Sequence, residues 1–220
     1  IDSNVLLKSL NISCNNLGEL GARAMIELMS MKDSPMEKLV ANENHFGDNG
    51  SAEMLKMIPA LKKLQSLSMS KNQVGLKGAR ALRDLLGDCK TLVRLDVSWN
   101  EIRGPAAIEF ANGLKENSTL LNLNVKWNAF GDSMSMQALA DALADCKITE
   151  IDLSANRIGA PGSALLADGL ERNTDLMAIT LDDNPLTMQG IRELLRTASE
   201  AVPRTFSFKK CCFARNPKIQ

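Results

Sequence analysis

Apolar positions in this chain fall into one recurring phrase. The stretch Leu92-Val93-Arg94-Leu95-Asp96-Val97-Ser98-Trp99-Asn100 reads L-x-x-L-x-L-x-x-N. The same phrase opens at Leu7, Met36, Leu64, Leu120, Ile148 and Leu176 and closes on Asn15, Asn44, Asn72, Asn128, Asn156 and Asn184. Successive asparagines are 29 residues apart once and 28 residues apart five times. A period held over seven copies marks a repeat architecture, in which one small unit buries its apolar face only by stacking on the next.

Inside each phrase the L-x-L triplet alternates apolar and polar, the period of a strand buried on one face. Such a strand, about three to five residues long, buries too little alone and is predicted to join its neighbours in a parallel sheet. The asparagine has a task where the chain leaves the strand. Its amide both donates and accepts, so it can satisfy backbone groups that lose their ladder partners in the bend. Periodicity then changes to helical: in Gly78–Leu86, Ala79, Leu82 and Leu86 share one face and the charges take the other. A small residue recurs near the start of each helix (Gly21, Gly50, Gly78, Ala106, Gly162, Gly190), where a larger one would hold neighbouring repeats apart. The fifth copy departs, with Met134 at that point. One extra residue is assigned to its helix over Ser135–Leu143, a bulge on the convex side compensated by one residue fewer between Cys146 and Ile148.

Pro105, Pro161 and Pro185 fall in the loops that lead into helices, and Pro59 is predicted to stop or kink the second helix. At the far end, Pro203-x-x-Phe206-x-Phe208-x-x-Cys211 repeats the strand phrase with cysteine in the asparagine position. This is an atypical terminal copy whose phenylalanines would cover the core. The organisation expected is one domain over residues 1–220, with seven repeats over about 5–200 and a capping repeat over about 201–213. The chain opens on Ile1 and no comparable cap precedes Leu7, so N-terminal sequence is expected to be missing.

Composition narrows the function classes. With 26 basic and 26 acidic residues there is no overall drive toward nucleic acid or an anionic membrane. No apolar run is long enough to span a bilayer. Five cysteines at irregular spacing form neither a disulfide framework nor metal-type pairs, which favours a reducing compartment, cytoplasm or nucleus. Lys209-Lys210-Cys211-Cys212 could be an acylation signal, but Cys211 already has a ladder position. His45 is the single histidine and has no discernible catalytic partners, and no phosphate loop or metal motif is present. No cofactor, metal or catalytic residue is expected.

The phrase and its period resemble the leucine-rich repeat family, and its full helix is similar to the ribonuclease-inhibitor class. Leu95–Ile102 and Ile151–Gly159 carry the resemblance most closely, and Ser98-Trp99-Asn100 and Lys126-Trp127-Asn128 look like intracellular eukaryotic members, some of them axonemal. The resemblance implies an α/β solenoid, an arc with parallel strands on the concave face and α-helices on the convex face. It implies a non-enzymatic scaffold or adaptor for a protein partner, cytoplasmic, in a cytoskeletal or ciliary assembly. The alternative is a regulator of a small GTPase resembling Ran GTPase-activating protein, although that protein's acidic tail has a basic counterpart here (Lys209, Lys210, Arg215, Lys218).

Residues flanking each L-x-L are expected to point onto the concave face. Trp99 and Trp127, the only tryptophans, hold the same position in adjacent copies with Arg94 and Lys126 beside them. Tryptophan and arginine are enriched in interface hot spots. The candidate partner-binding residues are therefore Arg94, Asp96, Trp99, Lys126, Trp127, Glu150, Asp152 and Asp182, with acid gathering toward the C-terminal half. The competing reading is that the two indoles only stack on each other and shield the ladder edge.

Overall fold

The computed structural model describes residues 7–29, 34–199 and 201–211. Each L-x-L triplet gives a strand of three residues: β1 (Ser9–Asn11), β2 (Lys38–Val40), β3 (Ser66–Ser68), β4 (Arg94–Asp96), β5 (Asn122–Asn124), β6 (Glu150–Asp152), β7 (Ala178–Thr180) and β8 (Thr205–Ser207). All pair in parallel, in chain order, in a single open sheet. The register has no stagger, so Leu10, Leu39, Leu67, Leu95, Leu123, Ile151, Ile179 and Phe206 form one column. Parallel neighbours require a crossover, and each is a helix: α1 (Gly18–Met29), α2 (Gly47–Met57), α3 (Leu76–Asp88), α4 (Pro105–Glu116), α5 (Ser133–Asp145), α6 (Ala160–Arg172) and α7 (Met188–Arg196). The molecule is a leucine-rich-repeat type of α/β solenoid, strands on one face and helices on the other.

Between the two layers lies one continuous apolar core. Phe46, Phe110 and Phe130 are fully buried in it, and the last two meet edge to face at 6.5 Å and 68°. Each such side chain contributes roughly 1.5–3 kcal/mol on leaving water.

Small residues do set the spacing of the helices. A Cβ on Gly50 would lie 3.1 Å from Ala22 Cβ of the preceding helix, and one on Gly169 would run into the Ala140 carbonyl. Pro59 converts the end of the second helix into a 3-10 turn, Ile58–Ala60, after α2 stops at Met57. Pro105 and Pro161 lie within the first turn of α4 and α6 rather than before it, where the missing N–H costs nothing.

The irregular fifth copy differs from expectation. Its helix has the same 13 residues as α3 and α6, so the extra residue does not bulge it. The insertion lies ahead of the helix, where Asp132 accepts from Ser135 N at 2.9 Å as an N-cap. The helix therefore starts one residue later, Ser135 takes the buried small position and Met134 is turned out to 72% exposure. Burial would raise the pKa of the Asp132 carboxyl, but hydrogen bonds from Ser135 outweigh it and hold the group below its ordinary range.

The copies also alternate in a way their constant length conceals. Where α4 and α6 end, Asn117 and Asn173 are buried and donate to Leu86 O and Leu143 O of the preceding repeat, at 2.7 and 2.6 Å. At the matching positions after α3 and α5 stand buried cysteines, Cys89 and Cys146. Burial pushes the Cys146 thiol up, which marks it as a packing residue.

At the C-terminal end Phe206 and Phe208 stack at 5.5 Å and pack against the core. Arg204 donates to four backbone carbonyls, those of Leu170, Asn173, Leu176 and Thr197, and so ties the ends of α6 and α7 to the last strand. A cation there also meets the negative ends of two helix dipoles. Cys211 is buried, while Cys212 and the residues that precede Leu7 lie outside the described residues.

Candidate functional site

Each strand ends in a bend that the asparagine closes. Asn128 is 1% exposed; its Nδ2 donates to Val97 O of the preceding repeat at 2.9 Å and to Val125 O of its own at 3.2 Å. Its Oδ1 accepts from Ile102 N of the preceding repeat at 3.1 Å. Asn15, Asn44, Asn72, Asn100, Asn156 and Asn184 occupy the same rungs, and Asn44 N donates to Asn72 Oδ1, as Asn72 N does to Asn100 Oδ1. One side chain thus satisfies backbone of two repeats, the arrangement a buried bend demands.

The residue before each ladder asparagine, and before Cys211 in the terminal copy, is held in left-handed backbone. Cys14, Glu43, Lys71, Trp99, Trp127, Ala155, Asp183 and Lys210 all have φ between 50° and 61°. Most side chains avoid this region. Here the backbone is fixed from both sides: Trp99 N donates to Lys126 O at 2.8 Å and Trp127 N to Ser154 O at 3.1 Å. The conformation belongs to the bend, and the side chain is pushed outward onto the rim of the sheet.

This divides the sequence-predicted residues between two surfaces. Arg94, Asp96, Glu150 and Asp152 line an open groove of about 540 Å³ along the strand face, with Lys38, Asn122 and Asn124. Trp127 lines a second groove of about 680 Å³ on the rim, with Glu101, Arg103, Ala155, Arg157, Asp183 and Lys210. Trp99 and Trp127 are 45% and 46% exposed and stack at 4.4 Å and 15°. The stacking alternative is therefore observed, yet it leaves nearly half of each indole in solvent. Neither Arg94 nor Lys126 lies over an indole; that cation is Lys71, with Nζ 5.5 Å from the Trp99 ring, and sequence reasoning assigns it no role. Lys71 is itself held by Glu43 Oε1 at 3.0 Å.

Two further placements differ from expectation. Alternation predicts Ser70, Ser98 and Ser154 on the concave face, but they are buried, because the chain already curls under the strand there; Ser98 Oγ donates to Ser70 Oγ at 3.0 Å. Asp182 is taken up by the terminal cap, its Oδ1 accepting from Ser207 Oγ at 2.6 Å and Lys209 N at 2.7 Å. Asp96 and Asp152 each use one oxygen on the bend, accepting from Ser98 N and Ser154 N, and keep the other for the groove. Glu150 accepts from Asn122 Nδ2 at 2.6 Å.

Nine ion pairs join described residues, and none uses Lys38, Arg94, Asp96, Glu150 or Asp152. The groove carries Lys38 on β2, both Arg94 and Asp96 on β4, and Glu150 and Asp152 on β6. His45 is exposed in left-handed backbone at φ 54°. Among the described residues no group of three His, Cys, Asp or Glu could hold a metal ion, and no helix is long and apolar enough to cross a membrane.

The Leucine Rich repeat family model matches residues 3–25, 60–82, 88–111 and 144–167. No curated protein sequence matches the chain. Among solved structures, the leucine-rich repeat-containing protein LegL7 from Legionella pneumophila is similar with a TM-score of 0.64 at 19% identity, over 94% of this chain and 67% of that one. The Rad7 and Elc1 complex in yeast contains a chain similar with a TM-score of 0.54 at 18% identity, over 87% of this chain and 45% of that one. At these identities the likeness is one of fold.

Proposed function

This chain is a leucine-rich repeat protein, and from that premise we propose that it is a non-enzymatic scaffold holding a protein partner along its strand face. One observation carries the reading: Lys38, Arg94, Asp96, Glu150 and Asp152 are gathered along one strip of the strand face, and none of them is spent in an ion pair within the chain. Exposed charge in a groove attracts and orients a partner of complementary pattern. That pattern is acidic where the partner meets Lys38, of both signs where it meets Arg94 and Asp96, and basic where it meets Glu150 and Asp152. One of the fold's structural neighbours also comes from a two-protein complex, Rad7 with Elc1.

The finer assignment follows the sequence resemblance. The 28-residue spacing and helices of 11 to 13 residues in copies two to six favour the ribonuclease-inhibitor class. The thiols of Cys14, Cys89 and Cys146 suit a reducing, cytoplasmic setting, with a cytoskeletal or ciliary assembly as the expected host. Capture of partners from a ciliated-cell lysate, by the native chain and by a variant carrying Arg94→Glu and Glu150→Lys, tests the groove. The charge-reversed variant should lose the partners that the native chain retains; equal capture would overturn the groove as the site. Acceleration of GTP hydrolysis by a small GTPase would instead favour the GTPase-regulator alternative.

A further inference from the structure

The rim residues form a column of side chains one strand spacing apart, and their order is informative. It runs Glu43, Lys71, Trp99, Trp127, Ala155, Asp183, Lys210. Outward from the indole pair on one side come a cation and then an acid: Lys71 Nζ lies 5.5 Å from the Trp99 ring and 3.0 Å from Glu43 Oε1. On the other side the acid is present at the matching rung, Asp183, but the rung between holds only Ala155. The outer face of Trp127 and the space over Ala155 open into the rim groove.

We propose that the rung at Ala155 is a slot for an arginine side chain of a partner protein, seated between the Trp127 ring and the Asp183 carboxylate. The chain contains its own precedent, with Lys71 doing for Trp99 and Glu43 what the incoming side chain does for Trp127 and Asp183. Distances agree. Trp127 and Asp183 are two rungs apart, about 10 Å at the spacing of parallel strands. A cation within about 6 Å of a ring centroid and about 4 Å of a carboxylate oxygen fills that interval. Arginine is preferred to lysine because its planar guanidinium can lie flat on the indole while its edge donates to a carboxylate. The Asp183 carboxylate has neither a hydrogen bond nor an ion pair among the described residues. Arg103, Arg157 and Lys210 share the groove, are exposed, and pair neither with Asp183 nor with the Trp127 ring. The inference rests on the scaffold reading only in assigning the arginine to a protein partner.

The test is a titration of the full, nitrogen-15-labelled chain with N-acetyl-arginine methylamide, following the two indole N–H signals, and with the neutral citrulline analogue as control. A Trp99→Phe variant assigns the signals. The Trp127 signal should shift and saturate with the arginine probe and stay unmoved by citrulline. Asp183→Asn should weaken binding at least about threefold. Ala155→Lys should abolish it by filling the slot from within, and that variant should fold, since Lys71 holds the same backbone conformation at φ 56°. Equal shifts with citrulline, a silent Trp127 signal, or undiminished binding in Asp183→Asn would each overturn the slot. Because no partner enters this titration, the slot can fail while groove-dependent capture stands, and the reverse.

Discussion

The helix face and the strand face of this molecule use charge in opposite ways. On the helix face Arg23 bridges to Glu53 of the next helix, Arg80 and Arg83 converge on Glu109, and Arg172 reaches back to Asp141. Asp48, at the start of α2, accepts from the backbone of Gly75, Lys77 and Gly78 and so caps α3, which has no side-chain cap of its own. Each repeat there completes its neighbour. On the strand face Lys38, Arg94, Glu150 and Asp152 stand in the same stacked columns with no ionic partner. Some helix-face charges are therefore spent in holding repeat to repeat, whereas the groove charges are not, and that difference separates assembly from recognition.

The comparison can be broken first at the seam between the faces. Asn128→Ala removes a buried amide and strands backbone groups of two repeats, so stability should fall by roughly 3 kcal/mol. A denaturant midpoint shift corresponding to less than about 1 kcal/mol would show that the ladder is ornamental. On the helix face the expected effect is smaller. Burial would raise the Glu109 pKa, but hydrogen bonds and charge from Arg80 and Arg83 outweigh it and hold the carboxyl below its ordinary range. A lowered carboxyl pKa adds stability above the unfolded-state value, and that stability is lost as pH falls through the folded value. Glu109→Gln should therefore destabilise the chain by up to about 1 kcal/mol at neutral pH. The difference between the proteins should vanish in acid below both values; a gap that persists there would assign the effect to packing. Smallest of all, Arg94→Glu with Glu150→Lys should change stability by no more than about 0.5 kcal/mol. A large loss would mean that the strand-face charges support the fold just as the helix-face charges do.

How far the sequence announces all this depends on what each residue does. Leu95, Val97 and Asn100 repeat because every copy has the same strand to bury and the same bend to close, so fold, strands and terminal copy are legible from spacing alone. The insertion in the fifth copy is not, since Met134 and Ser135 could exchange roles until Asp132 fixes where the helix begins. Ser98 reads as outward by alternation, but three residues of strand are too few for alternation to persist into the bend. The tryptophans are conspicuous by type, whereas their surroundings are not. Lys71 and Asp183 matter through rungs 28 and 56 residues from Trp99 and Trp127, and Ala155 matters by being small.

The rim column also acts as a ruler. Its rungs repeat about every 4.8 Å, while a polyproline II segment advances about 3.1 Å per residue and presents the same face every third residue. Such a segment laid across the repeats would fall out of phase at one rung and return to phase at two, where three residues have passed. Trp127 and Asp183 stand at that two-rung interval. Residues spaced i and i+3 in such a segment would then meet equivalent points of the column, and those between would not.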